Sequence, residues 1–229
     1  MRQRLTFLLA LFIFLSSSSS FAQTINEPNG LEWSGGGLPW PPIDENYIEG
    51  TRYLYNEFIK GDIFFNDGEK ISQLPLRLNL HNDEFEYMEH DSVFAIEKPS
   101  HIDKIVIGNE VFIYLDSTTD VSISGYVKKW NEGFPAIITK METYFYRSEK
   151  VGPYTETLPD RFERAQDKHY LIISNKDVEN ISSMKKLIKI LGDHEVELSD
   201  FAKKEKISAG NPEELNKLLD YYKILKREL

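Results

Sequence analysis

Between Arg52 and Asn180 the chain repeats one pattern: a short run with apolar side chains at every second position, then a polar turn. "LRLNL" (Leu76 to Leu80) alternates strictly, so Leu76, Leu78 and Leu80 share one side of a strand. "YLYNEFIKGDIFF" meets "EKISQLPLRLNL" across the turn Asn66 to Gly68. "HND" then leads into "EFEYM", with Phe85 and Tyr87 on one side and Glu84, Glu86 and Met88 on the other. "EHD" leads into "SVFAI". "IDKIVIGNEVFIYL" reads as two strands around Gly108-Asn109, and "VSISGYVKKW" and "FPAIITKMETYFY" flank "NEG". "HYLIIS" reads as a later buried strand, and "EKVGPYTETLPDRFERAQD" as a long connection with a short helix. A period of two over so many segments excludes a helical body. It predicts an antiparallel meander, closed as a sandwich or as an open barrel.

Beyond this body the pattern changes. Residues 1–22 carry Arg2 and Arg4, the apolar run Leu5 to Leu15 and a serine-rich stretch ending in small residues at Ser20 and Ala22. This is the order of a secretory signal, cleaved before Gln23, and its apolar run is too short for a membrane span. Residues 23–50 hold Pro28, Gly30, Gly35 to Gly37, Pro39, Pro41 and Pro42 with no period, and read as an irregular arm. Trp33 and Trp40 on that arm either fold back or anchor it to a partner. The β body is expected over 51–182 and a helical region over 183–229. In the latter, Met184, Leu187, Ile188 and Leu191 precede Gly192, and Val196, Leu198, Phe201 and Ala202 follow. Asn211, Pro212 and Glu214 then form a helix start ahead of Leu215, Leu218, Leu219, Tyr222 and Leu225. The fold class expected is therefore α+β, mostly β, with two to three short C-terminal helices.

Charge narrows the partners. Loss of residues 1–22 removes two arginines and no acid, taking the formal charge from −10 to −12. From Ser183 onward ten basic residues face nine acids, so the acidity lies in the body. Such a surface repels phosphates, and no nucleic-acid partner is expected. There is no cysteine, and a chain of this length builds a core without disulfides.

Catalytic chemistry finds little to stand on. "SISGY" around Ser124 lacks the first glycine of a nucleophile elbow, and His81, His90, His101, His169 and His194 lie mostly in turns or beside charges. Metal binding needs converging ligands. In an extended strand Glu84 and Glu86 are ~7 Å apart and His81 and His90 ~30 Å apart. The chain is read as non-enzymatic, with no metal and no cofactor. Glu84 and Glu86 are candidate contacts for a basic partner surface. Trp130, Tyr144 and Tyr146 are candidate platform residues for a glycan or small ligand, though a β core uses the same aromatics.

The layout "LRLNLHNDEFEY … IDKIVIGNEVFIY" followed by the tail "MKKLIKILGDHEVELSDFAKKEKISAGNPEELNKLLDYYKIL" resembles a group of uncharacterised exported envelope proteins of Bacteroidota-type bacteria. The likeness spans Tyr53 to Leu225 and carries no catalytic motif. It implies a periplasmic or outer-membrane-associated protein, with an extracellular destination also open. The expected function is protein–protein interaction in the envelope, through the arm or a sheet edge. The partner would be an envelope protein or complex, as for an accessory subunit of outer-membrane or secretion machinery such as a translocon plug. The alternatives are a glycan or small-ligand binding module and, after it, a metal-dependent hydrolase.

Overall fold

The computed structural model describes residues 48–97, 99–116, 123–148, 159–174 and 177–227, all within one compact unit, Leu31–Leu229. The signal segment, Trp33 and Trp40 lie outside the described residues. Among those described, no helix is long and apolar enough to cross a membrane.

Among the described residues twelve strands and three α-helices follow in order. They are β1 Ile59–Phe65, β2 Lys70–Asn79, β3 Glu84–Glu89, β4 Ser92–Ala95, β5 Ile102–Ile107, β6 Glu110–Leu115, β7 Gly125–Lys129, β8 Ala136–Lys140, β9 Thr143–Tyr146, β10 Arg161–Arg164, β11 Lys168–Ser174 and β12 Asp177–Asn180. The helices are α1 Met184–Leu191, α2 Glu195–Lys204 and α3 Pro212–Arg227. Ten strands form one open antiparallel sheet in the order β12-β11-β8-β7-β6-β5-β1-β2-β3-β4, and β9 pairs with β10 apart from it. The protein is thus α+β and mostly β.

The meander has two wings that diverge from β1. One runs β1 to β4 to an edge; the chain then returns to pair β5 with the other side of β1 and continues outward. The tight turns form where the sequence supplies their residues. Between Ile107 and Glu110, which are partners in the ladder, Gly108 takes φ +59, a value few side chains tolerate. The connection from Glu149 to Asp167 differs from expectation. Its described end contains strand β10, which pairs Phe162 with Phe145. Only Phe162 is buried there, so no alternation marks it as a strand.

Ring contacts show how the sheet curls. Phe85 of β3 lies 4.8 Å from the Tyr126 ring of β7 and 5.4 Å from that of Phe112 of β6. Five strand steps separate β3 from β7, about 24 Å in a flat sheet. The wings must therefore roll toward each other, with Leu76, Leu78, Phe85, Ile105, Phe112 and Tyr126 inside the curl.

A polar latch joins the wings. Asp83, in the β2–β3 turn, accepts the Tyr126 N–H at 3.1 Å and pairs with Lys140 at 2.7 Å. Lys140 also donates to the Tyr126 carbonyl at 3.3 Å. Position 125 must be glycine: its φ is +91, and a Cβ there would stand 1.5 Å from an Asp83 carboxylate oxygen.

The helices cover the far wing. All five residues of β8 are buried, as befits a strand packed on both faces. Ile137 and Leu171 face a cluster with Leu187, Leu198, Leu215 and Leu218, while Val127, Ile138 and Ile172 belong to a separate cluster. Asn211 caps α3 by accepting the N–H groups of Glu213 and Glu214. The Glu214 carboxylate reaches past it to the Ser208 N–H at 2.7 Å, which pins the α2–α3 loop.

Candidate functional site

Strand β4 ends the sheet on one side, and its geometry follows from its pairing. Glu86 lies opposite Ala95 and Met88 opposite Val93. The Ile96 N–H donates inward to the Phe85 carbonyl. By alternation, the N–H and C=O groups of Val93 and Ala95 then point away from β3. No strand among the described residues pairs with that outer side. Phe94 anchors β4 from within, stacked on Tyr87 at 5.3 Å, while Val93 is 50% exposed beside half-buried Met88. The exposed residues Glu89 and Asp91 flank the turn into β4.

The two candidate carboxylates sit in the rows behind this edge. Glu86 is buried, and both of its oxygens are engaged. One pairs with Arg77 at 2.7 Å, and the other accepts from Asn79 at 3.1 Å. Its part is to join β2 to β3, so it offers little to an incoming cation. Glu84 is half-buried and accepts from the Asn82 amide at 2.8 Å. Arg77 and Glu86 are direct partners in the β2–β3 ladder, a register one residue off the one the turn "HND" alone would set.

Beside this row lies a cleft of about 250 Å³ lined by Gly50, Arg52, Tyr53, Asn56, Arg77 and Phe162. It forms because the segment before β1 spans two sheets. Glu49 hydrogen-bonds to Asp160 and Phe162, and Arg52 and Leu54 hydrogen-bond to Leu80, just past β2, and to Leu78 within it. The Arg77 guanidinium lies 3.5 Å from the Tyr53 ring centre and 4.3 Å from that of Phe58. Its stacking and its pair with Glu86 hold it in place as part of the wall.

The aromatic candidates divide into two places. Trp130 is half-buried under α3 and belongs to the helix–sheet cluster. Its Nε1–H donates to Thr139 Oγ1 at 2.7 Å, its carbonyl accepts from Asn216 at 2.7 Å, and Lys128 Nζ lies 3.9 Å from its ring centre. Tyr144 and Tyr146 share the outward face of β9, 47% and 43% exposed. Arg161 lies 5.2 Å from the Tyr146 ring centre.

His169 is a buried residue that its place at the start of an apolar run did not announce. Thr139 Oγ1 lies 2.9 Å from its Nδ1 and the Gly210 carbonyl 3.2 Å from its Nε2. An indole only donates, so Thr139 Oγ1 accepts from Trp130, and a carbonyl only accepts, so the His169 Nε2–H donates to Gly210. This row of hydrogen bonds ties the residue after β7, and strands β8 and β11, to the loop before α3. His81 bonds the Thr143 carbonyl at 3.1 Å and rests against Phe162. Among the described residues, no three His, Asp or Glu side chains gather so as to hold a metal ion.

Two tyrosines show what the rolled sheet does to an ionisable group. Burial, with Glu89 and Glu97 nearby, pushes the Tyr87 phenol up to about 12. Burial likewise raises Tyr126, with the charge of Asp83 the next contributor. Both stay neutral in the physiological range and act as core side chains. No family model, no curated protein and no solved structure matches this chain.

Proposed function

We propose that this chain is a non-enzymatic exported protein of the periplasm or outer membrane that binds another envelope protein, and that the partner adds a strand to the open side of β4. The role is that of an accessory subunit in outer-membrane or secretion machinery, and a translocon plug is one form of it. The observation that carries the reading is the outer side of β4, where no described strand pairs and the backbone groups of Val93 and Ala95 turn outward beside exposed Val93. Such an edge is a template for an extended peptide. Alternating apolar residues on the incoming strand would meet Val93, and basic flanks would meet Glu89 and Asp91. The signal-like N-terminus and the resemblance of the body and tail to exported envelope proteins support the compartment.

Cross-linked affinity purification from envelopes tests this, comparing the native chain with Ala95→Pro. Proline at an outward-facing N–H of an edge strand is tolerated by the fold but removes the donor and blocks the approach of a new strand. A stoichiometric partner recovered by the native chain and lost with A95P is expected. Recovery of the native chain alone, or equal recovery by both, counts against it.

A glycan-binding reading is favoured by one observation, the paired exposure of Tyr144 and Tyr146 on one face of β9. Their spacing of ~7 Å along a strand places two rings side by side for stacking on sugars. Binding on a glycan array that is lost with Tyr144→Ala would support it. An unaltered array profile would remove Tyr144 from the role.

A further inference from the structure

The nearly balanced charge of the C-terminal region conceals a segregation that appears once α1 and α2 pack together. Between them runs a groove of about 810 Å³, a size typical of small-molecule sites. Its floor is Met184, Ile188, Ala202 and Ile207, and its lining charges are Lys185, Lys189, Lys203 and Lys206 against Glu195 alone. Lys203 lies 3.8 Å from Asp200. The other three lysines are exposed and make no ion pair among the described residues. On a chain of net charge −10, four lysines around one apolar channel mark a local reversal of sign.

We infer that this groove binds a single-chain anionic amphiphile: an acyl chain along the apolar floor with its carboxylate among the lysines. The charge on the rim selects an anion. Lysines, as mobile point charges, accept a carboxylate without the fixed geometry an arginine fork demands, and their methylene stems extend the apolar walls. The dimensions select a flexible chain over a docked helix. With eight residues in α1 and ten in α2, the walls are only about 12 and 15 Å long. A helix confined to that length is marginal by itself. The site lies on the wing opposite β4, so it is independent of the proposed strand addition.

Titration of the full mature chain with dodecanoate and with dodecanol, followed by calorimetry and by amide chemical shifts, tests the assignment. Dodecanoate should bind at least tenfold more tightly than dodecanol, with shifts confined to α1, α2 and the loop at Ile207. The double variant K185E/K189E should lower dodecanoate affinity by tenfold or more and leave dodecanol unchanged. Ser199→Trp, placed in the groove wall, should weaken both ligands while the thermal midpoint stays near native. Equal affinity for the acid and the alcohol, shifts centred elsewhere, or no binding would overturn the inference. So would binding to phosphatidylglycerol vesicles without binding to monomeric dodecanoate.

Discussion

Replacing Asp83 by alanine strikes the point where the two wings of the sheet meet. The variant removes the partner that lies 2.7 Å from Lys140 Nζ and the acceptor of the Tyr126 N–H. The Lys140 side chain is 8% exposed, so its ammonium is left largely away from water. Loss of one partner from a fully buried pair costs about 3–5 kcal/mol. Asp83 is 34% exposed, and water entering its place solvates the ammonium in part, so about 2 kcal/mol is the better figure. Alanine at φ +57 adds about 1 kcal/mol of left-handed strain that aspartate largely escapes. Asp83→Ala should therefore destabilise the protein by about 3 kcal/mol. Lys140→Met removes the buried charge itself, keeps the apolar stem and leaves Asp83 partly in water, at a cost of about 1 kcal/mol or less. The double variant should be more stable than D83A alone, because no stranded ammonium remains. Urea unfolding at pH 7, followed by tryptophan fluorescence with the slope checked for constancy, reads all three midpoints. Equal losses for D83A and K140M, or a double variant less stable than D83A, would refute the latch.

Three further outcomes follow from the same structure. Gly125→Ala should cost more than D83A, since the new Cβ meets the Asp83 carboxylate at 1.5 Å on a backbone of φ +91; a near-native midpoint would contradict that. Thr139→Val should cost about 1–3 kcal/mol by leaving Trp130 Nε1–H and His169 Nδ1 without partners, and it should shift Trp130 emission; an unchanged midpoint and spectrum would remove the relay from the account. The contact between Asp193 and Lys226 should make the end of α3 pH-sensitive. The lysine's hydrogen bond holds Asp193 below its ordinary 3.8, and the same bond holds Lys226 above 10.5. The aspartate's contribution is present above 3.8 and lost as pH falls through its lowered value; the lysine's is present below 10.5 and lost as pH rises through its raised one. Amide exchange in the last turn of α3 should quicken at both limits, and Asp193→Asn should abolish the acid limb.

What the sequence disclosed and what it withheld have physical reasons. Hairpins and helix starts depend on residues adjacent in the chain, so Gly108-Asn109 and Asn211-Pro212 announced themselves. Strand order depends on long-range contacts, and nothing local in "IDKIVI" says that it pairs with β1 in place of β4. Strand β10 escaped notice because a single buried phenylalanine makes no period. Glu86 read as an open acid because its face is polar, yet Arg77 and Asn79 across the strand bury and satisfy it. His169 was hidden for a similar reason: its partners, Thr139 and Gly210, lie 30 and 41 residues away. The lysines of the tail lost their meaning in a net charge, and only the packing of α1 on α2 collects them around one groove.

The proposed strand addition is tested most directly by placing a photo-crosslinking side chain, p-benzoylphenylalanine, at Val93 and, as a control, at Val196, exposed on α2. After irradiation of intact envelopes, one discrete adduct of constant mass is expected from position 93, none from position 196, and none from position 93 in the Ala95→Pro background. A partner that still co-purifies while position 93 yields no adduct, or an adduct that arises equally from position 196, would contradict β4 as the docking edge.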